Sequence, residues 1–250
     1  MQYDVRSIEG EPPVDITESA ENYLKAIFKL GGERKGVATG TIAERLGIRA
    51  PSVSRMLKRL GEQGWVQHTA YQGVRLTDAG RQQALRVIRS HRILETYLVE
   101  VLGMPWDRVD AEVERLEHVV SVDLVNRLEE ALGFPESDPH GSPIPDREGN
   151  LPTNDGAISL IDVPAESRVI VRRVRDAEPG ALKYLAEHGV IPGAKLRFLR
   201  LEPYEGPALL VRGGEEAAAS PIAIGRPLAV RIFVEVEGDV AGENLSRDVE

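Results

Sequence analysis

Asp110, Glu114, Glu117 and His118 are spaced so that a helix would gather them on one face, because positions i, i+3 and i+4 are neighbours there. Val109, Val113, Leu116 and Val120 then fall on the opposite, apolar face. Carboxylate and imidazole donors within one helical turn suit a hard divalent cation. A second pair, His91 and Glu95, has i, i+4 spacing on an earlier helical stretch. Acids on a helix face are more often simply solvated, so the cluster gains weight only from its context. His140 and His188 sit in loop-like contexts and His68 on a strand; all three are read as structural or surface residues.

The elements that position this chemistry can be read from caps and apolar periods. Thr77 is expected to cap a long helix to about Leu102, Asp107 the helix of the cluster, and Ser121 a third helix with Val122, Val125, Leu128 and Leu132 apolar. Upstream, Asp15 or Thr17 can cap a helix running to about Leu30 and ending at Gly31-Gly32. Asn22 and Lys25 lie off its apolar face. A short helix Thr41–Leu46, a turn at Gly47 and a second helix from Pro51 form a helix-turn-helix, with proline suited to a first helical turn. Trp65 to Thr77 reads as two short strands around a Tyr71–Gly73 turn, a wing.

Such a unit enters a DNA major groove with the start of its second helix. The candidate DNA contacts are Arg49, Pro51, Ser52, Ser54, Arg55, Lys58 and Arg59, with Tyr71 and Arg75 on the wing. Charge agrees with this. The chain's net charge is −9, yet residues 34–89 hold 11 of its 31 basic and 3 of its 40 acidic residues, a local charge of +8 against −17 elsewhere. A basic module on an acidic body is the asymmetry of a DNA reader.

At 250 residues, with 42% hydrophobic and 28% charged residues, the chain can form two or three small domains. It has no cysteine, which excludes disulfides, thiolate catalysis and cysteine zinc sites. No apolar run approaches a membrane span and the N-terminus lacks signal-peptide order, so a cytoplasmic location is expected. The expected division is a winged helix-turn-helix over 1–81, with 1–14 a flexible arm, then a helical metal-binding and dimerisation domain over 82–152. A linker follows over 153–165, a small β-barrel over 166–240 and a tail over 241–250. The fold class is mainly α with β. Barrel strands are expected at Arg168–Val174, Lys195–Leu201, Ala208–Arg212 and Ala229–Val236, with a helix at Pro179–His188. The apolar helices need a partner surface, and two-fold DNA readers supply one by homodimerisation.

Several stretches resemble the diphtheria toxin repressor family of iron- and manganese-dependent regulators: Ala20-Glu-Asn-Tyr-Leu24, Ile42-Ala-Glu-Arg-Leu46, Leu76-Thr-Asp-Ala-Gly80, Arg89-Ser-His-Arg92, Leu116-Glu-His-Val119 and Pro139-His-Gly-Ser-Pro-Ile144. Pro179 to Gly193 is similar to that family's SH3-like domain. The resemblance covers roughly residues 15–238. It implies a dimeric, metal-activated repressor of metal-uptake genes that binds palindromic double-stranded DNA and is not an enzyme, with neither a membrane nor a small-molecule substrate as partner. It also implies a primary metal site of Asn22, Glu114, Glu117 and His118. An ancillary site would hold His91, Glu95 and Asp110, with Asp176 and Glu178 from the SH3-like domain. Iron-responsive members carry Met and Cys at the places of Asn22 and Glu114, and manganese-responsive ones carry carboxylates. Glu114 follows the manganese pattern, Asn22 follows neither, and Lys25 replaces an acid of some manganese sensors. The oxygen and imidazole donors favour Mn(II) over Fe(II). A hydrolytic metalloenzyme would leave the winged helix without a role; the alternatives are an Fe(II)-responsive repressor of the same family and a metal-independent winged-helix regulator using a small molecule.

Overall fold

The computed structural model describes residues 16–69, 72–152, 156–175, 178–212 and 221–237. The chain divides after Ile88 into two units.

The first unit is built on α1 (Glu18–Lys29). Thr17 caps it by accepting from the Ala20 amide (3.3 Å). Glu18 and Glu21 lie in its first turn and Lys29 in its last, each sign matched to the helix dipole. α2 (Thr39–Leu46) stops at Gly47, whose φ of 64° is the left-handed cap, a conformation glycine adopts freely. α3 (Ala50–Glu62) starts with Pro51 in its first turn. β1 (Val66–Thr69) and β2 (Gly73–Leu76) form an antiparallel hairpin, Val66 opposite Leu76 and Thr69 opposite Gly73. Leu24, Ile27, Ile42, Val53, Leu60, Trp65 and Val74 form the core of this winged helix. Lys25, expected off the apolar face, is buried nonetheless.

α4 (Asp78–Glu100) leaves the wing under tight control. Thr77 Oγ1 accepts from the Gly80 amide (3.1 Å) and donates to the Gly64 carbonyl (2.7 Å). Gly80 touches the backbone of Trp65: a Cβ there would lie 1.9 Å from the Trp65 carbonyl oxygen. Gly80→Ala is therefore expected to destabilise the chain by about 3 kcal/mol, an overpacking cost with no flexible neighbour to yield. A lowered denaturant midpoint at unchanged slope is the expected measurement.

The second unit takes the rest of α4 with α5 (Val109–Leu116) and α6 (Val122–Ala131). Leu94, Val109 and Val113 make one apolar cluster, and Ile93, Val125 and Ile144 another. Ser121 caps α6 through the Leu124 amide (3.2 Å) as expected. α5 differs at both ends. Its N-cap is Arg108 without a side-chain cap, not Asp107, because the chain turns at Pro105, whose carbonyl takes the Arg108 amide (3.0 Å). It ends at Leu116, whose carbonyl takes the amides of both Val119 and Val120. Glu117 and His118 therefore stand on the turn after the helix, not on it.

The remainder is a six-stranded antiparallel sheet, in order β3 (Ile158–Ser159), β8 (Ile232–Glu237), β4 (Ser167–Val174), β5 (Lys195–Leu201), β6 (Ala208–Arg212) and β7 (Ile222–Ile224). Alternate residues such as Val169, Val171, Leu196, Phe198, Leu210 and Val234 fill its core, with Leu182 and Leu185 of α7 (Pro179–Glu187). Bulges at Arg172 and Leu199 interrupt the pairing of β4 and β5, and bulges bend a strand. Two expectations are corrected. Residues 158–163 are not linker: β3 pairs with β8, and Leu160 and Val163 are in the core. Ala229–Arg231 is not strand, because Pro227 opens a short helix α8 (Arg226–Ala229) and β8 starts at Ile232. Strand β7, three residues long, was not expected. Among the described residues no helix is long and apolar enough to cross a membrane.

Candidate metal centre and DNA-reading helix

The second unit holds a buried knot of carboxylates and imidazoles. His91, on α4, is its hub. Its Nδ1 donates to Glu117 Oε2 (2.5 Å), and its Nε2 lies 3.4 Å from Glu95 Oε1 and 3.3 Å from Asp110 Oδ1. The other Glu117 oxygen takes His118 Nε2 at 3.2 Å. Side chains of Glu117 and His118 are 0% and 4% exposed, so both groups are held out of water. Asp110 and Glu114 stand on the outer side of α5 and are exposed, yet Glu114 offers an oxygen within 4.8 Å of donor atoms of His91 and Asp110.

A second group adjoins the first. Glu95 Oε1 also lies 3.5 Å from His140 Nδ1, and Glu95, Asp138 and His140 bring donor atoms within 4.8 Å of one another. Asp138 pairs with Arg92 (3.4 Å), which also donates to the Pro143 carbonyl. Asp138 Oδ1 accepts from the amides of His140 (2.8 Å) and Ser142 (2.9 Å), so one buried carboxylate shapes the loop that carries His140.

Electrostatics follow from this packing. Burial alone would lower the His91 pKa. Hydrogen bonds to Asp110, Glu117 and Glu95 outweigh it and raise the value to about 10. Burial likewise opposes ionisation of Glu95, yet His140 and His91 hold it well below the usual carboxylate range. Burial and then the Glu95 charge push Asp138 up. His140 is raised, against burial, by Glu95. A buried imidazolium among carboxylates is held by the charge a dication would also satisfy. The donors are all oxygen or imidazole nitrogen, the set that suits Mn(II), Fe(II) and similar ions.

The structure thus brings together Glu114, Glu117, His118, His91, Glu95 and Asp110, and places His91 between the two expected sets. Asn22 lies half-buried on α1 of the first unit. Glu178 is the exposed N-cap of α7 and belongs to neither donor group; Asp176 lies outside the described residues. His140 lies on a loop as expected, and that loop brings it against Glu95. Asp138 was not anticipated. The signal for both was the Pro139-His-Gly-Ser-Pro-Ile144 stretch, since helical spacing says nothing about a loop.

On the first unit, α3 exposes Pro51, Ser54, Arg55, Lys58 and Arg59, with Ser52 half-buried and Arg49 exposed as the N-cap. Ser52 Oγ accepts from Arg55 (3.3 Å), Ser54 Oγ donates to the Ala50 carbonyl (3.1 Å), and Lys58 is 4.0 Å from Glu62. Arg75 on β2 is exposed and reaches the Arg34 carbonyl (3.4 Å). Tyr71 lies outside the described residues.

A winged helix joined to a helical unit with a buried acid–imidazole knot defines a metal-dependent DNA-binding regulator. Comparisons with known proteins make this specific. Residues 15–74 match the iron dependent repressor N-terminal DNA binding domain, 77–146 the iron dependent repressor metal binding and dimerisation domain, and 158–236 the FeoA domain. The iron-dependent repressor IdeR of Mycobacterium tuberculosis (strain ATCC 25618 / H37Rv) is 34% identical over 212 residues, 80% of this chain and 92% of that protein. The diphtheria toxin repressor of Corynebacterium diphtheriae is 32% identical over 162 residues, 64% of this chain and 72% of that one. A solved manganese-dependent transcriptional repressor in complex with manganese superposes with a TM-score of 0.79 at 38% identity, covering 87% of this chain and 99% of that chain. The chain belongs to the diphtheria toxin repressor family of metal-dependent transcriptional repressors, whose members are regulators rather than enzymes.

Proposed function

We propose that this chain is a Mn(II)-activated repressor that binds a palindromic operator as a homodimer in the cytoplasm and controls metal-uptake genes. The observation that carries the reading is the knot around His91, built only from oxygen and imidazole donors. On this reading Glu114, Glu117, His118 and His91 serve the primary cation. Glu95, Asp138 and His140 serve the ancillary one. The manganese-bound neighbour supports the choice of metal. Fe(II) is the second reading, favoured by relatives named as iron-dependent repressors. Cation binding would favour the arrangement in which two α3 helices enter successive major grooves, about 34 Å apart.

The test is operator affinity at fixed salt with Mn²⁺, Fe²⁺, Co²⁺, Zn²⁺ or chelator. Strongest stimulation by Mn²⁺ is expected; equal affinity with chelator would overturn the proposal. Arg59→Ala is expected to weaken binding to all sequences alike and to reduce the salt slope by about 1, as loss of one phosphate contact does. An unchanged slope would remove Arg59 from the interface.

A further inference from the structure

We propose that Trp106 is a positioning residue for His140, its carbonyl and ring together holding the imidazole with Nδ1 toward Glu95 and tying that placement to the packing of the C-terminal sheet. The inference rests on the reading of Glu95, Asp138 and His140 as cation donors.

His140 Nε2 lies 3.0 Å from the Trp106 carbonyl oxygen. A carbonyl only accepts, so Nε2 carries the proton. Nδ1, 3.5 Å from Glu95 Oε1, is then the nitrogen left to bind a cation. A ligating imidazole is oriented in this way when its other nitrogen donates to a backbone carbonyl. The ring is held a second time, because the indole of Trp106 stacks on it with centroids 5.3 Å apart and planes inclined by 22°.

Trp106 also packs against the core of the C-terminal sheet. The loop is fastened to the same sheet through its backbone. The His140 carbonyl accepts from the Val174 amide (2.9 Å), and Gly141, at φ 82°, lies so close to β4 that a Cβ would sit 1.9 Å from the Arg172 carbonyl oxygen. The backbone of His140 is thus set by β4 and Asp138, and its ring by Trp106. The indole Nε1 is buried and has no hydrogen-bond partner among the described residues. Leaving a donor unpaired is unfavourable, so the indole is placed by its faces, not by its N–H. Phenylalanine, which keeps a face and discards the unpaired donor, should therefore serve.

The test uses the full chain and titrates Mn²⁺ by calorimetry and Co²⁺ by visible absorption, with unfolding midpoints as the control for folding. His140→Ala is expected to remove one class of cation binding and to change the Co²⁺ spectrum. Trp106→Ala keeps the backbone carbonyl but loses the stack, and is expected to weaken the same class about 10–100-fold, as loss of an outer support of a metal ligand does. Its Co²⁺ bands should shift likewise. Trp106→Phe should restore both affinity and spectrum, a rescue that a purely structural role would not produce in the cobalt bands. Should Trp106→Ala fail to fold, Trp106→Leu keeps apolar bulk against the sheet without an aromatic face and carries the same expectation. Wild-type affinity and spectrum in a folded Trp106→Ala or Trp106→Leu, with both lost in His140→Ala, would overturn the role of Trp106 alone. Wild-type behaviour of His140→Ala would overturn the cation site and this proposal with it.

Discussion

Glu117→Ala is expected to abolish cation-stimulated operator binding while leaving a folded dimer. Glu117 follows the end of α5, and its two oxygens serve two imidazoles, Oε2 toward His91 and Oε1 toward His118. Removing it leaves the two rings without their common acceptor and the cation without one of its buried charges. The loss falls on the cation-loaded state, because an effector shifts an equilibrium only through its differential affinity. A coupling of about 1–3 kcal/mol corresponds to a 5–150-fold stimulation, and the variant should show none. Fluorescence anisotropy on operator DNA with Mn²⁺ or chelator measures it, and size-exclusion chromatography checks the dimer. Full stimulation in the variant would show that Glu117 is not a ligand. Glu117→Gln, which keeps shape but not charge, should behave like alanine if charge is what the cation requires.

Cation affinity should climb steeply with pH. In the cation-free protein the His91 imidazolium, its pKa raised to about 10 by Asp110, Glu117 and Glu95 against the opposing effect of burial, holds a proton throughout the neutral range. A metal needs the ring's lone pair, so uptake must expel that proton. With one proton released, apparent affinity rises about tenfold per pH unit, or about a hundredfold between pH 6 and 8. Calorimetry in two buffers of different ionisation enthalpy counts the proton directly, and a count of zero would show that His91 is not a ligand. The stability of the cation-free protein has the opposite sign. A raised imidazole pKa contributes stability fully below its ordinary value near 6.5, and this is lost as pH rises through about 10. Cation-free protein should therefore melt at lower temperature as pH rises over that window, while saturating Mn²⁺ protects it increasingly.

Much of the architecture was legible from caps and periods. Thr17, Thr77 and Ser121 each cap the helix expected of them, and the strands Lys195–Leu201 and Ala208–Arg212 have the bounds their alternation suggests. What escaped was short or dictated by distant neighbours. β3 and β7, at two and three residues, are too brief to show a period and exist because β8 and β6 offer them an edge. The early end of α5 at Leu116 has no glycine or proline to announce it. The donor set was legible in part: helical spacing singled out Glu114, Glu117 and His118, and the pair His91 and Glu95. It could not show that His91 stands between the two groups, nor that a proline-rich loop returns to lay His140 beside Glu95. Those facts depend on how segments far apart in the chain meet.

His91 presents one nitrogen to Glu117 and the other to Glu95 and Asp110, and a neutral ring has a single lone pair to give. On the proposed assignment that lone pair goes to the primary cation alone, so Glu95, Asp138 and His140 would have to hold an ancillary ion without help from this ring.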